Sequence, residues 1–400
     1  MTLNFRLIPP ALLAIIPSVN DVFFNFVGKS INVNNVIYLF LFFYISLLIL
    51  SYKKICVHKV ILILSVFYLY TIFVGIRYSV VYSTNIRLEY VVHVFLMLYV
   101  LLFFSFLNKV ESKVYWKVFY SLSGVLVFVV ILQFIIYKLT GSFITFVENS
   151  QENRPAAFFS EPAHYSMLMC LVLLSLLLNF DTLEIKQNSR ILFSCFISIS
   201  LLLSSSSSGM VYVLFVWGIW IFKGKSASIQ IKFILFLFVS IVFVLIFLLT
   251  EELSTAYEHF MTTDFSSVTS GSFRIARGFD LFSSLSYSDK IIGIGLGNID
   301  SYIINNSFIS IYDNFDTLFS NYVSALSSFF LEGGILGTAL LFFSLIAFSY
   351  KQQFKNASLF ICLFLLILSN EIIYSPQIYY FIGVYILTCR KCSDSKFSYN

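Results

Sequence analysis

An arginine, a glutamate and a histidine fall within eleven positions in the stretch RPAAFFSEPAHYSMLM (residues 154–169), in a chain whose charged residues make up only 11% of its length. Glu161 and His164 stand three apart, so on a helix they share one face. A carboxylate beside an imidazole where an apolar segment meets water is a pair able to move a proton as general acid or base. The same two residues also fit a capping glutamate and an interfacial histidine at the mouth of a span. A second set lies in SGSFRIARGFDLFSSL (residues 270–285), where Ser270 or Ser272 can cap a helix and Arg274 and Arg277 share a face of its first turns. Two guanidinium groups at a helix start suit an anion, above all phosphate oxygens that accept paired bonds. The alternative there is a basic face against lipid headgroups.

The third candidate is Glu332, in LSSFFLEGGILGTALLFFSLIAF (residues 326–348), followed by Gly333, Gly334 and Gly337. An ionisable group inside an apolar stretch is costly to place and is a functional candidate for that reason. Small residues also let helices approach closely, so Gly333 and Gly337 equally suit packing contacts. Glu371 is a lesser candidate of the same kind, and Arg87 and Glu89 are spaced to pair. In GIGLGNID (residues 293–300) the glycines suggest a nucleotide loop, but that fingerprint requires a strand before and a helix after, so a structural turn is expected. Asp313 and Asp316 come nearest to a metal-binding pair. The expectation is that no metal or other cofactor is used.

The elements that must position these residues follow from hydropathy and charge. Of 400 residues, 59% are hydrophobic, 19% aromatic and 48 are Phe, and the mean hydropathy is +0.91. Soluble domains hold nearer one half apolar residues, so an all-α integral membrane protein is expected. Apolar stretches of about 20 residues, enough to cross roughly 30 Å of hydrocarbon, number twelve, centred near residues 14, 42, 67, 97, 127, 171, 197, 215, 241, 335, 361 and 380. The first is interrupted by Pro9, Pro10, Pro17 and Asp21 and lacks a small-residue cleavage site, so it reads as a retained span.

Lysine and arginine gather in alternate connections: Lys53, Lys54 and Lys59; Lys109, Lys113 and Lys117; Lys186 and Arg190; Lys223, Lys225 and Lys232; Lys351 and Lys355; Arg390, Lys391 and Lys396. By the positive-inside rule these face the cytoplasm, as do both termini. The expected organisation is five spans over residues 1–138, an outside loop at 139–160, four spans over 161–250, and a large outside loop with short helices at 251–318. Three spans then cover 319–389, with a cytoplasmic tail at 390–400. Eight basic residues remain outside, Lys29, Arg77, Arg87, Lys138, Arg154, Arg274, Arg277 and Lys290. The topogenic bias accounts for the net charge of +5, so no nucleic-acid partner is implied.

None of the six cysteines falls in an outside loop, which excludes a disulfide-stapled fold. The Cys389/Cys392 spacing is a single pair in a short tail and reads as incidental rather than as a zinc site.

The succession EPAHYS at the head of a mid-chain span, SGSFRIARGF in a large outside loop, GIGLGN, then FFLEGGILGT in the next span resembles the O-antigen polymerase (Wzy-type) family, related to the O-antigen ligases, over roughly residues 150–345. The Arg-to-Gly spacing of eleven found in some polymerases is absent here, and where ligases carry a His-Asn pair this chain has Asn321 and Tyr322. The resemblance implies a GT-C-like fold in a bacterial inner membrane. It implies transfer between donor and acceptor oligosaccharides carried on undecaprenyl diphosphate, outside the cytoplasm, with membrane lipid and a chain-length regulator protein as further partners. On that expectation Arg154, Arg274 and Arg277 bind the diphosphate, and Glu161, His164 and Glu332 are the catalytic candidates. The alternatives are an O-antigen ligase and, from another class, a lipid-linked oligosaccharide flippase.

Overall fold

The computed structural model describes residues 5–19, 22–26, 29–51, 57–84, 88–142, 154–181, 183–204, 206–223, 271–310, 323–349 and 376–388, with a few single positions between 144 and 241. The described residues are mostly helical. One departure from an all-α chain is a short antiparallel hairpin, β1 (Phe23–Phe26) and β2 (Lys29–Asn32), paired through Phe23 with Asn32 and Phe26 with Lys29. Five described helices are long and apolar enough to cross a membrane, and five shorter ones are apolar. These ten coincide with ten of the twelve expected spans. The span centred near 241 is described only at single positions, and the one centred near 361 lies outside the described residues, as do Arg87, Asp313, Asp316, Glu371 and Cys389/Cys392. Along α3 (Lys59–Tyr82) the exposed side chains Leu62, Val66, Leu69, Phe73, Ile76 and Val80 recur every three or four residues. Such an apolar stripe belongs against hydrocarbon rather than water. The chain is a helical membrane protein.

The contacts divide the chain into two compact units that interrupt each other in sequence. The first is Met1–Ser51 with Phe106–Glu258, and the second is Tyr52–Ser105 with His259–Asn400. In the first, α1 (Ile8–Ile15) packs on α5 (Lys109–Thr140), and α6 (Pro162–Leu177) packs on α7 (Gln187–Leu203) and α8 (Ser207–Lys223); α2 (Val33–Ser51) also belongs here. The start of α5 is written locally: Asn108 accepts from the amides of Val110 and Glu111 while Glu111 reaches back to the Asn108 amide, a complete capping box. α6 is buried on nearly every side, as its uniformly apolar sequence requires.

Polar side chains then tie this unit together. Tyr165 and Ser200 share a hydrogen bond of 2.6 Å between α6 and α7, and Trp217 of α8 donates to Ser198 of α7 at 2.8 Å. Below α6, the Arg190 guanidinium meets both oxygens of the fully buried Asp181 carboxylate and donates to the Leu183 carbonyl. Tyr120 donates to the same carboxylate at 2.8 Å. Arg190 is thus more than a topological marker. It pins the connection between two apolar helices.

The second unit holds α3, α4 (Leu88–Phe106), α9 (Gly271–Ser284), α10 (Tyr287–Ile292), α11 (Ile299–Asn305), α12 (Ala325–Ser349) and α13 (Pro376–Thr388). α12 packs on α3, α9, α10 and α11. It is not straight. Gly334 has φ +63 and ψ −176, a conformation essentially confined to glycine. In a straight helix Phe329 and Phe342 would stand roughly 20 Å apart along the axis, yet their ring centroids are 6.2 Å apart and Thr338 Oγ1 donates to the Phe329 carbonyl at 2.6 Å. Residues 325–333 and 335–349 are therefore two half-helices folded toward each other. Gly333 and Gly337 are the packing contacts that the sequence allowed, since a Cβ there would meet Phe67 at 2.9 Å and Tyr70 at 2.6 Å, both on α3.

Candidate functional site

The residues expected to carry chemistry divide between the two units. Arg154, Glu161 and His164 are in the first, and Arg274, Arg277 and Glu332 are in the second.

Arg154 is exposed and enters a short buried stretch at Pro155, Ala156 and Ala157. That stretch is held by Gln133, a buried side chain of α5, which accepts from the Ala157 amide at 2.9 Å and donates to the Ile144 carbonyl at 2.9 Å. One glutamine thus staples both described parts of the loop to the helix before it. Glu161 is the residue at the α6 cap and Pro162 opens the helix, as expected, but the Glu161 side chain makes no capping bond. Pro162 at the first position has no amide to leave unsatisfied and its fixed φ suits a helix start. Glu161 and His164 are both half-buried at the first turn, while Tyr165 beyond them is fully buried, its ring 6.0 Å from that of Phe159. The unit presents a carboxylate and an imidazole on one turn at the end of its most buried helix.

In the second unit Arg274 and Arg277 are not on an open face of α9. Arg277 is fully buried and Arg274 is 7% exposed. The expected cap at Ser272 falls inside the helix, which begins at Gly271, and Ser270 lies outside the described residues. α9 is seated tightly on α12: the Ser324 amide donates to the Arg274 carbonyl at 3.2 Å, and a Cβ on Gly278 would stand 2.0 Å from Ser327 Oγ. Burying a guanidinium group costs free energy unless it is paired and hydrogen-bonded, and Arg274 and Arg277 both interact within the protein.

The glycine stretch 293–298 fills the bend of α12. Its six consecutive amides all donate within the protein: Gly293 to the Asp289 carbonyl, Ile294 to Leu331, Gly295 to Glu332, Leu296 to Thr71, Gly297 to the Glu332 side chain and Asn298 to Gly295, at 2.7 to 3.4 Å. A loop that cradled phosphate would keep such amides for its ligand. This one uses three of them on the backbone of α3 and α12, one on the Glu332 side chain and two on nearby carbonyls, so it is a structural turn. Gly295 shows why only glycine serves, since its φ is +78 and a Cβ would lie 2.0 Å from the Gly75 amide nitrogen. Glu332 is 2% exposed, and its Oε1 accepts the Gly297 amide at 3.0 Å.

Sequence reasoning missed a further group at the end of α3. Asp289, buried on α10, lies 3.9 Å from the half-exposed Arg77 guanidinium. Its Oδ2 accepts from Ser286 at 2.7 Å and from Tyr82 at 3.4 Å. The available signal was the Ser286-x-x-Asp289 capping spacing before α10, where Ser286 accepts from the Asp289 amide. Nothing local pointed to Arg77, 212 positions earlier.

Among the described residues no group of three or more His, Cys, Asp or Glu could hold a metal ion. Set beside models of protein families, curated proteins and solved structures, the chain matches none of them.

Proposed function

We propose that the chain is a membrane glycosyltransferase of the polysaccharide-polymerase type, joining oligosaccharide repeat units carried on undecaprenyl diphosphate at the extracytoplasmic face of a bacterial inner membrane. The observation that carries the proposal is in the second unit, where Arg274 and Arg277 are buried on the helix packed against the bent helix that carries Glu332. No nucleotide sugar exists on that face, so bond energy must arrive in a lipid-linked diphosphate. Displacing it leaves negative charge that preorganised guanidinium groups stabilise in a site of low dielectric.

In the proposed step an acceptor sugar hydroxyl attacks the donor's anomeric carbon and forms the glycosidic C–O bond. The bond from that carbon to the diphosphate oxygen breaks, undecaprenyl diphosphate leaves with the electron pair, and the hydroxyl proton passes to a general base. Arg274 and Arg277 bind diphosphate oxygens, and Glu332, on the helix packed against theirs, supports them. The finer fold belongs to the same proposal: twelve spans of GT-C type, both termini cytoplasmic, with donor, acceptor, surrounding lipid and a chain-length regulator as partners.

The test is the surface glycan of cells lacking the chain and of cells complemented with it. Single repeat units on the lipid core, restored to a ladder by complementation, support polymerisation. Unattached long chains would make the protein a ligase, and repeat units held in the cytoplasm would make it a transporter. Polymerisation in isolated membranes is expected to survive EDTA. Loss of activity that a divalent ion restores would move the charge stabilisation from arginine to metal.

A further inference from the structure

Glu332 holds a position that a proton-transferring carboxylate would not need. The first half of α12 ends at the bend, which leaves its last carbonyls without helical partners. The glycine loop supplies them: Ile294 N–H donates to Leu331 O at 2.9 Å, and Gly295 N–H donates to Glu332 O at 3.0 Å. The Glu332 side chain then takes the next available amide, that of Gly297, at 3.0 Å. Main chain and side chain of one residue therefore hold both arms of one turn. The turn has no slack elsewhere. A Cβ on Gly293 would lie 2.2 Å from Glu332 O, one on Gly297 would lie 2.8 Å from the Tyr90 ring, and Asn298 Nδ2 donates to Ile294 O at 2.8 Å and to Gly75 O at 3.3 Å. The loop is also the link from α10 to α11, and α9, with its two buried arginines, lies just before it.

We propose that Glu332 is a positioning residue, whose carboxylate fixes the glycine loop in the bend of α12 and so the placement of the α9–α11 segment, and that it exchanges no proton with substrate. The proposal rests on the glycosyltransferase assignment only where glycan is the readout. The role requires a hydrogen-bond acceptor at one point, and a glutamine carbonyl oxygen supplies one. A general base requires proton affinity, and glutamine has none. Glu332→Gln separates the two, with Glu332→Ala as the variant that removes the acceptor.

Both variants of the full chain are purified in nanodiscs, and amide hydrogen exchange is followed in peptides covering residues 293–298. The same variants are scored in cells for glycan ladder length beside a blot for protein level. Glu332→Gln is expected to exchange within about threefold of the native protein and to keep its ladder. Glu332→Ala is expected to exchange faster by about tenfold or more, as loss of a charge-assisted bond implies, and to lose long chains. Unchanged exchange in Glu332→Ala overturns the proposal whatever the glycan does. Native exchange with lost ladders in Glu332→Gln also overturns it, because proton affinity is then what matters. If Glu332→Ala does not accumulate, Glu332→Gln decides alone by the same two readouts. If deleting the whole chain leaves the glycan unchanged, the glycosyltransferase assignment fails while the exchange measurement still decides the role of Glu332.

Discussion

The two units solve the same problem, joining apolar helices by something more specific than hydrophobic contact, in different ways. The first uses side chains. Arg190, Asp181 and Tyr120 form one network, Tyr165 bonds Ser200, Trp217 bonds Ser198, and Gln133 holds a loop at two points. The second adds to side-chain bonds, such as Tyr70 to the Ile292 carbonyl, a set of contacts made by missing side chains. Gly295 lies on Gly75, Gly293 on Gly334, Gly278 on Ser327 and Gly383 on Phe104, and peptide groups bond directly across the first three of these contacts. In hydrocarbon both methods work, because helix association there depends on close packing and interhelical hydrogen bonds rather than on water exclusion. They fail differently. The first unit should be sensitive to deletion and the second to addition.

The largest effect is expected from adding one methyl group at the bend. Gly334→Ala puts a Cβ 2.3 Å from the Ile291 carbonyl oxygen at φ +63, combining backbone strain of about 1–3 kcal/mol with overpacking of about 1–3 kcal/mol. A loss near 5 kcal/mol is expected, because the clash is with backbone, and protein that runs monodisperse after purification would contradict it. Asp181→Ala comes next, at about 3 kcal/mol, because it strands a buried guanidinium. The double variant with Arg190→Ala should recover part of that loss in a thermal-unfolding cycle, and strict additivity would show that the pair does not couple. Ser198→Ala should cost about 1–2 kcal/mol by leaving the Trp217 N–H unsatisfied, and the double variant with Trp217→Phe should cost less than the sum of the two single changes. The smallest effect has the opposite sign. Among the described residues a Cβ on Gly218 in α8 meets nothing within 4 Å, so Gly218→Ala should stabilise by about 0.5–1 kcal/mol through helix propensity. Destabilisation there would show that glycine contacts in the first unit extend beyond Gly209, where a Cβ would stand 2.6 Å from Ser166 Oγ.

The candidate site was partly legible. The stretch around Glu161 and His164 announced itself because Pro162 and two ionisable residues break an apolar run, and the α6 start lies where the proline puts it. Glu332 stood out for the same reason, as did the glycines after it. That Gly334, rather than Gly333 or Gly337, takes the left-handed conformation was not visible, because all three glycines permit it and only the neighbours Ile291 and Gly293 select one. The burial of Arg274 and Arg277 was also invisible. Their spacing defines a shared face of α9, but spacing alone does not say whether that face meets water or α12.

By itself the sequence determined that this is a helical membrane protein and where ten described apolar helices lie, since hydropathy, the cap at Asn108 and the helix-opening Pro162 act within a few residues of themselves. Only the tertiary structure decided the grouping, in which α3 and α4 leave their neighbours in the chain and join the carboxy-terminal half. It also decided the partners: Tyr70 donates to the Ile292 carbonyl across 222 positions, Asn298 to Gly75 across 223, and Gly297 to Glu332 across 35. Apolar helices are interchangeable to a hydropathy pattern. Their choice of neighbour rests on where a Cβ is absent and which peptide group stands opposite, and both are properties of two segments at once.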